Sequence, residues 1–448
     1  MMRSMFSGVS GLRAHQTRMD VIGNNVANVN TVGFKSGRVT FQEVFNQTLR
    51  GAGAPDAALG RGGTNPMQIG LGTGVGAIDT MMTRGSSQRT DNPTDLSIEG
   101  EGFFIVKGSN ADTFKFTRAG NFGLDKLGNL VSGSGMNVYG WQEYDPATKK
   151  YNTEGEIQPI NLYNDEFNGN KRVIAPVATK TAVFSGNLNS AYPPSELTGP
   201  PDEPSKGQFS VPFTAYDSLG NAHEFTISYW NATPDGGPNT WNYTVFRKTI
   251  DEDTGDIVYD PIDDSAGTLE FTTGGKLNTT EGSTSTDINP ITFTPEGAAE
   301  LNITLDFSNV TMFSADSSVK PTNIDGYTTG NLVTFNIGSD GILTGIYSNG
   351  QQQPLGMVAL AGFSNPGGLQ KIGDNLFIPT TNSGDFTKAL QAGSEGVGSL
   401  SPGTLEMSNV DLSREFTDMI ITQRGFQANS RIITTSDEML QELVNLKR

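Results

Sequence analysis

Few residues in this 448-residue chain could do chemistry. It has two histidines, His15 and His223, and no cysteine. Disulfides, thiolate metal sites and cysteine nucleophiles are therefore excluded, and so is a Cys/His zinc site. A Ser-His-Asp relay would have to use one of the two histidines, and no G-x-S-x-G elbow exists to present the serine. GTGVG at 72–76 has the glycines of a phosphate loop. It lacks the Lys-Ser/Thr that grips phosphate and magnesium, it misses the dinucleotide spacing, and no strand-helix unit surrounds it. DEDTGD at 251–256 gathers acids as a calcium loop does, but the later bidentate Glu is missing, so a solvated acidic turn fits better. Paired carboxylates are the one catalytic arrangement that stays open in an acidic β-rich chain. The expectation is no enzyme: no catalytic residue, no metal and no cofactor.

Charge narrows the partners. The formal net charge is −18, and residues 151–300 hold 22 acids against 7 bases. The first 50 residues reverse this, with 6 bases and 2 acids. Nucleic acid is not expected as a partner, since phosphate binding needs clustered cations. The acidic middle reads as a solvated outer surface and the ends as packed regions. No run of 18 apolar residues exists, so membrane insertion is not expected. The start, MMRSMFSGVSGLRAHQTRMD, has no continuous apolar core of a secretory signal. Its amphipathic, acid-poor pattern fits either a transit peptide or an oligomerising helix, and the matching far end favours the helix.

Positions 2, 5, 9, 12, 16, 19, 23 and 26 alternate steps of 3 and 4, the spacing of one helical face. Met5, Val9, Leu12, Met19 and Val26 stand among them. The far end repeats the rhythm with Leu412, Phe416, Met419, Phe426, Ile433, Leu440 and Val444, starting after Asp411, a plausible N-cap. An ordinary amphipathic helix lying on a globular core would give either pattern alone. Two narrow seams at the extreme ends of one chain instead satisfy each other as a coiled-coil pair. Such a pair is marginal in water and gains from packing against copies. These residues are the expected subunit-interface set.

The first helix should end in NNVANVNTVGFK, residues 24–35. Asn24, Asn25, Asn28 and Asn30 compete for backbone hydrogen bonds. Gly33, followed by Phe34, redirects the chain. The stretch reads as a structural turn and not as a ligand site.

The middle reads as β. LDKLGNLV at 124–131 and YDSLGNAHEFTISYW at 216–230 share a D-x-L-G-N turn, the second followed by alternating Phe225, Ile227 and Tyr229. EGFFIVKG at 101–108 reads as a buried strand, and GSDGILTGIYSNG at 338–350 as turn and strand. The Gly-rich segment from about 42 to 75 is a long loop or extended arm.

MFSGVSGL, followed by IGNNVANVNTVGFKSGRVTF, resembles the N-terminal signature of the bacterial flagellar axial proteins of rod, hook and hook-associated types. GTLEMSNVDLSREFTDMIITQRGFQANSRIITTSDEMLQELVNLKR is similar to their C-terminal signature. Between them, TRAGNFGLDKLGNLV, YDSLGNAHEFTISYW and SDGILTGIYSNGQQQPLGMVALAGFSNPGGLQKIGDNLF are most similar to the hook branch of that family. The resemblance covers most of the chain outside about 146–315.

It implies a mainly β, nested multi-domain fold with a terminal α-helical coiled-coil pair. The expected divisions are a helical core domain (1–30 and 410–448), a connecting arm (31–70 and 399–409), an inner β domain (71–145 and 316–398) and an outer acidic β domain (146–315). It also implies a homo-oligomer: a curved, flexible, hollow tube of many copies that transmits torque from motor and rod to filament. The implied partners are the rod, the hook cap, the hook-filament junction proteins and the flagellar export apparatus. The implied place is the flagellar hook and basal body, outside the cytoplasm, reached without a cleaved signal peptide. Some relatives in periplasmic flagella crosslink subunits through a cysteine, and that chemistry is closed to this chain. A distal rod or hook-like axial protein is the alternative within the class. A secreted β-rich adhesin or carbohydrate-binding protein is the alternative outside it, and would need no paired terminal seams.

Overall fold

A computed structural model of the chain describes all residues except 1, 56–59, 61, 109–112, 166, 168, 196, 198, 232–238, 251–255, 263–264, 279–287 and 447–448. The DEDTGD turn, apart from Asp256, thus lies outside the described residues. The fold is mainly β, with one helix at each end: α1 (Met2–Ala27) and α2 (Leu412–Asn445). Asp411 is the N-cap of α2, accepting hydrogen bonds from the Ser413 and Arg414 amides. The expected helix-strand-helix nesting is present, and the two helices pack together.

The chain divides into two compact units. The first comprises residues 1–171, 335–345 and 353–448, the second 172–334 and 346–352. Both edges differ from the expected outer-domain limits of 146 and 315. Residues 146–171 fold with the first unit because Pro159 pairs with Tyr139 and Gln158 with Gly140. Residues 316–334 fold with the second because Lys320–Ile324 pairs with Thr181–Asn189. Short strands of mixed polarity carry too little pattern to announce which sheet they join.

In the first unit the Gly-rich arm is more regular than its composition suggests. Strand β1 (Gly37–Glu43) pairs with β4 (Thr73–Thr80), and β2 (Asn46–Arg50) with β3 (Met67–Gly70), both antiparallel. The β core of this unit forms around Phe103, Ile105, Phe116, Tyr139, Trp141 and Met357. Phe103–Val106 are all buried, as the EGFFIVKG run predicts for a strand covered on both faces. The helix end of the unit is held to strand Ser87–Arg89 through Thr404–Glu406, and Ser399–Pro402 pairs with Leu96–Glu99.

Among the described residues, the core of the second unit is shared by two sheets. Strand Leu301–Phe313 pairs in parallel with Thr181–Asn189, while Phe209–Tyr216, Ala222–Asn231 and Thr240–Ile250 form an antiparallel meander. Leu301, Ile303, Leu305 and Phe307 alternate inward, and so do Phe225, Ile227 and Tyr229, which pack into the same core.

The two D-x-L-G-N turns are built alike. Asp125 Oδ1 accepts from the Leu127 and Asn129 amides, and Asp125 Oδ2 from the Asn129 side chain. Asp217 repeats this with Leu219 and Asn221. Burial would raise the pKa of Asp217. The donors from Asn221, His223 and Leu219 outweigh it and bring the carboxyl down to about 2.

Candidate functional site

The helices run antiparallel. Gly8 faces Asn429 and Ile433, Gly11 faces Asn429, and Gly425 faces His15. Further along, Arg18 Nη2 reaches Asp418 Oδ1 at 3.0 Å, and Asn25 Nδ2 reaches Glu415 Oε1 at 3.1 Å. The buried positions of α1 are Gly8, Gly11, Ala14, Ile22 and Asn25. Those of α2 are Thr422 and Ser436. This line is the seam within the chain, and apart from Ile22 it is small or polar. A Cβ on Gly11 would stand 2.9 Å from the Asn429 side chain, and one on Gly425 would stand 2.7 Å from the His15 ring. Small residues let the backbones close, and each long polar side chain fills the hole that a glycine opposite leaves.

Apart from Ile433, which meets Gly8, the sequence-derived apolar line therefore sits beside the contact. On α1 the seam runs about one position, some 100° of rotation, from the expected one. Met5, Leu12, Met19 and Val26 are half-buried on its flank, and Val9 is exposed. On α2, Met419, Ile433 and Leu440 are half-buried, whereas Leu412, Phe416, Phe426 and Val444 are exposed. Phe416 is 50% exposed and Phe6, on α1, 67%. Apolar flanks on both helices are left uncovered by their own chain. A groove of about 450 Å³ runs between α1 and β4, lined by Phe6, Val9, Arg13, Thr73 and Val75 among others.

The asparagine stretch is a knot that ties helix to arm. Helix α1 ends at Ala27, so Asn24 and Asn25 lie in its last turn and Asn28 just beyond. Asn28 closes the end: its side chain donates to Asn24 O and Oδ1 and accepts from Thr31 Oγ1. Asn30 is exposed in the turn. Asn25 is buried and fully used. It donates to Gly37 O at 2.8 Å, accepts from Gly37 N at 2.9 Å, and gives its other proton to Glu415. Burial pushes the Glu415 carboxyl up, partly countered by that bond. Gly33 stands at φ +68°. Its N–H donates to Glu406 O at 2.7 Å. Phe34 is buried beneath the Lys371 ammonium, 4.9 Å from its ring centre.

Lys35, Arg118 and Glu406 form a buried ionic cluster that sequence reasoning missed. Lys35 Nζ lies 2.6 Å from Glu406 Oε1, and Arg118 Nη1 lies 3.2 Å from Glu406 Oε2. Lys35 also donates to Thr83 O, and the Gly85 amide donates to Glu406. Burial pulls both cations below their ordinary pKa values while Glu406 pushes them back up. The available signal was a lysine directly after Gly33-Phe34 and a glutamate in GTLE, charged residues inside otherwise apolar signatures. Asn409 adds a second clasp, accepting from Ser36 N and donating to Met81 O.

Among the described residues no group of acids and histidines is placed to hold a metal. No helix among them is long and apolar enough to cross a membrane. The features present are β units nested between two paired terminal helices, a knotted helix exit and uncovered apolar flanks. They are the features expected of a flagellar axial-type subunit.

Residues 5–35 match the family described as flagella basal body rod protein, and residues 401–446 the flagellar basal body rod FlgEFG protein C-terminal family. Residues 97–165 match the flagellar hook protein FlgE/F/G D1 domain, and 187–327 the flagellar basal body protein FlaE D2 domain. The chain is 42% identical to the flagellar hook protein FlgE of Borreliella burgdorferi and 40% identical to that of Treponema pallidum, over all of both chains in each case. It is 31% identical to the flagellar basal-body rod protein FlgG of Bacillus subtilis, also over full length. A crystal structure of the Helicobacter pylori flagellar hook protein FlgE2 shares the fold at TM-score 0.50 and 16% identity, covering 71% of this chain and 100% of that one. The chain belongs to the flagellar hook protein family.

Proposed function

We propose that this chain is the repeating subunit of a flagellar hook, polymerising through its terminal helices into a curved, hollow tube that transmits torque from rod to filament. One observation carries the reading. The α1–α2 seam is closed mainly by small and polar residues, with Ile22 and Ile433 the large apolar exceptions, whereas Phe6, Phe416, Ile420, Ile421 and Val444 are left exposed by their own chain. Burying such a side chain is worth about 1.5–3 kcal/mol, so copies gain by covering one another's flanks. The role is structural and not catalytic. Its place is the hook and basal body, outside the cytoplasm. Rod, cap and junction proteins meet the two ends of the tube, and the export apparatus delivers the chain.

Met5, Val9, Leu12, Met19 and Val26 on α1, and Leu412, Phe416, Met419, Phe426, Ile433, Leu440 and Val444 on α2, serve as the subunit-interface set. Asn24, Asn25, Asn28, Asn30, Gly33 and Phe34 shape the helix exit. Electron microscopy of the purified, concentrated protein is the test. Curved tubes are expected, straight tubes would favour a rod subunit, and no polymer under any condition would refute the reading.

A further inference from the structure

We propose that His15 is a pH-responsive latch on the α1–α2 pair: neutral, its ring fills the hole over Gly425; protonated, it drives the two helices apart. The geometry is specific. The His15 ring lies so close over Gly425 that even one methyl there would stand 2.7 Å from Cε1 and Nε2. Its edge meets the Phe41 ring of β1, with centroids 5.6 Å apart and planes at 76°. Nδ1 is buried and has no hydrogen-bond partner among the described residues. A neutral imidazole tolerates this, because the tautomer protonated at Nε2 leaves Nδ1 bare. The imidazolium does not, because it carries a second N–H into a place with no acceptor.

The surrounding charges give no relief. On α1 the charge that acts on it is Arg18, a cation whose guanidinium is already bound to Asp418 of α2 and lies 5.8 Å over the same Phe41 ring. On β1, Arg38 is paired with Asp79 of β4. Glu43 of β1 lies beside Gly70 of β3. Burial and Arg18, in that order, hold the His15 pKa below the ordinary imidazole value. The sign follows. The separated helices bind the proton more readily than the paired ones. Pairing is strongest when His15 is neutral, and it weakens as pH falls through the ordinary imidazole range toward the lowered value.

Glu415 acts in the opposite sense. Its raised pKa means the paired state takes up a proton more readily, so acid favours pairing there. A chain without His15 should therefore show a flat or slightly rising response to acid.

The effect on tubes rests on the assembly reading above; the latch itself does not. With two histidines in the chain, histidine-selective NMR of the full-length protein resolves both, and His15→Asn assigns the signal. His15 should titrate below the ordinary imidazole value; titration at or above it overturns the latch. Hydrogen exchange of α1 gives the second readout, as the protection of wild type relative to His15→Asn at pH 7.5 and at 5.5. That ratio should fall by up to about tenfold for each unit of pKa depression. An unchanged ratio overturns the proposal. His15→Asn loses packing at every pH, so the pH slope and not the level decides, and His15→Gln should share its slope. The critical concentration for tubes should rise on acidification in wild type and not in either variant. If no chain forms tubes at any pH, the assembly reading fails, while the titration and exchange results still decide the latch.

Discussion

Lys35 Nζ stands 2.6 Å from Glu406 Oε1 across 371 positions of sequence, and both side chains are 1% exposed. The contact joins the segment that follows α1 to the segment that leads into α2. Arg118, from the β core of the same unit, completes it. Removing one partner of a buried ionic group leaves the others uncompensated, at a cost of about 3–5 kcal/mol. Glu406→Ala should be the most damaging change, because two cations lose their shared anion. Lys35→Met should cost less, because Arg118 still neutralises Glu406. Denaturant titration of the full chain checks the order. Equal stability of the two variants would show that the cluster is not energetically shared.

Gly33 tests whether the turn is set by backbone angle alone. A left-handed φ costs a branched residue about 1–2 kcal/mol. A Cβ here would also stand 2.6 Å from Ala119 N. Gly33→Val should therefore cost more than the angle term. Gly33→Asn, which tolerates the angle, should remain clearly destabilising. A thermal melt in which the Asn variant matches wild type would remove the close contact from the account.

Phe426 is 38% exposed, on the flank of the seam and not inside it. Phe426→Asp should leave the melting of the isolated chain nearly unchanged and abolish polymerisation, since a charge buried between copies costs several kcal/mol, on the order of 3 or more. Removing residues 411–448 should likewise give a folded chain that makes no tubes. Sedimentation and microscopy at matched concentration decide this. Tubes of normal yield from either variant would place assembly elsewhere.

Much of this was legible in the sequence, and what was not has separate physical causes. The terminal helices, the Asp411 cap, the Phe103–Val106 strand and the two D-x-L-G-N turns all follow from local pattern. The α1–α2 contact lies about one position from the apolar line, because apolar periodicity marks where large side chains stand and not where two backbones close; on the proposed assembly those side chains are left for other copies. Gly8, Gly11 and Gly425 carry almost no hydrophobic signal, yet they are where the helices meet. The Lys35–Arg118–Glu406 cluster was invisible because its parts lie in three distant segments, and nothing local to any of them predicts burial of its charge.

Asp217 predicts an acid response in the second unit. Its pKa of about 2 lies below the ordinary carboxylate value, so the folded state favours the ionised form. The stability it contributes is present above the ordinary value and is lost as pH falls toward 2. Asp217→Asn keeps the shape but removes the charge that Leu219, Asn221 and His223 bind. It should lower stability at pH 6 by about 1–2 kcal/mol and differ little from wild type near pH 2. A constant difference between variant and wild type from pH 6 to 2 would contradict this.

On the proposed tube reading, with the second unit at the outer surface, the acidic stretch supports a division of labour. Residues 151–300 hold 22 acids and 7 bases, and most of them belong to the second unit. A bending tube shortens one side and lengthens the other, so subunits must slide past each other. Sliding favours polar, loosely fitted outer contacts over a fused apolar interface. Like charges along such a surface repel, and salt screens that repulsion within about 8 Å at physiological ionic strength. Tube curvature should therefore respond to salt in the intact protein. A chain with residues 172–334 replaced by a short linker keeps α1, α2, the Lys35–Glu406 cluster and the uncovered apolar flanks. It should still polymerise, into narrower tubes whose curvature differs and no longer follows salt. Electron micrographs at low and high salt read both quantities. Complete failure to assemble, with the first unit still folded by circular dichroism, would make the acidic unit part of the essential contact set and place the driving force outside the helix pair.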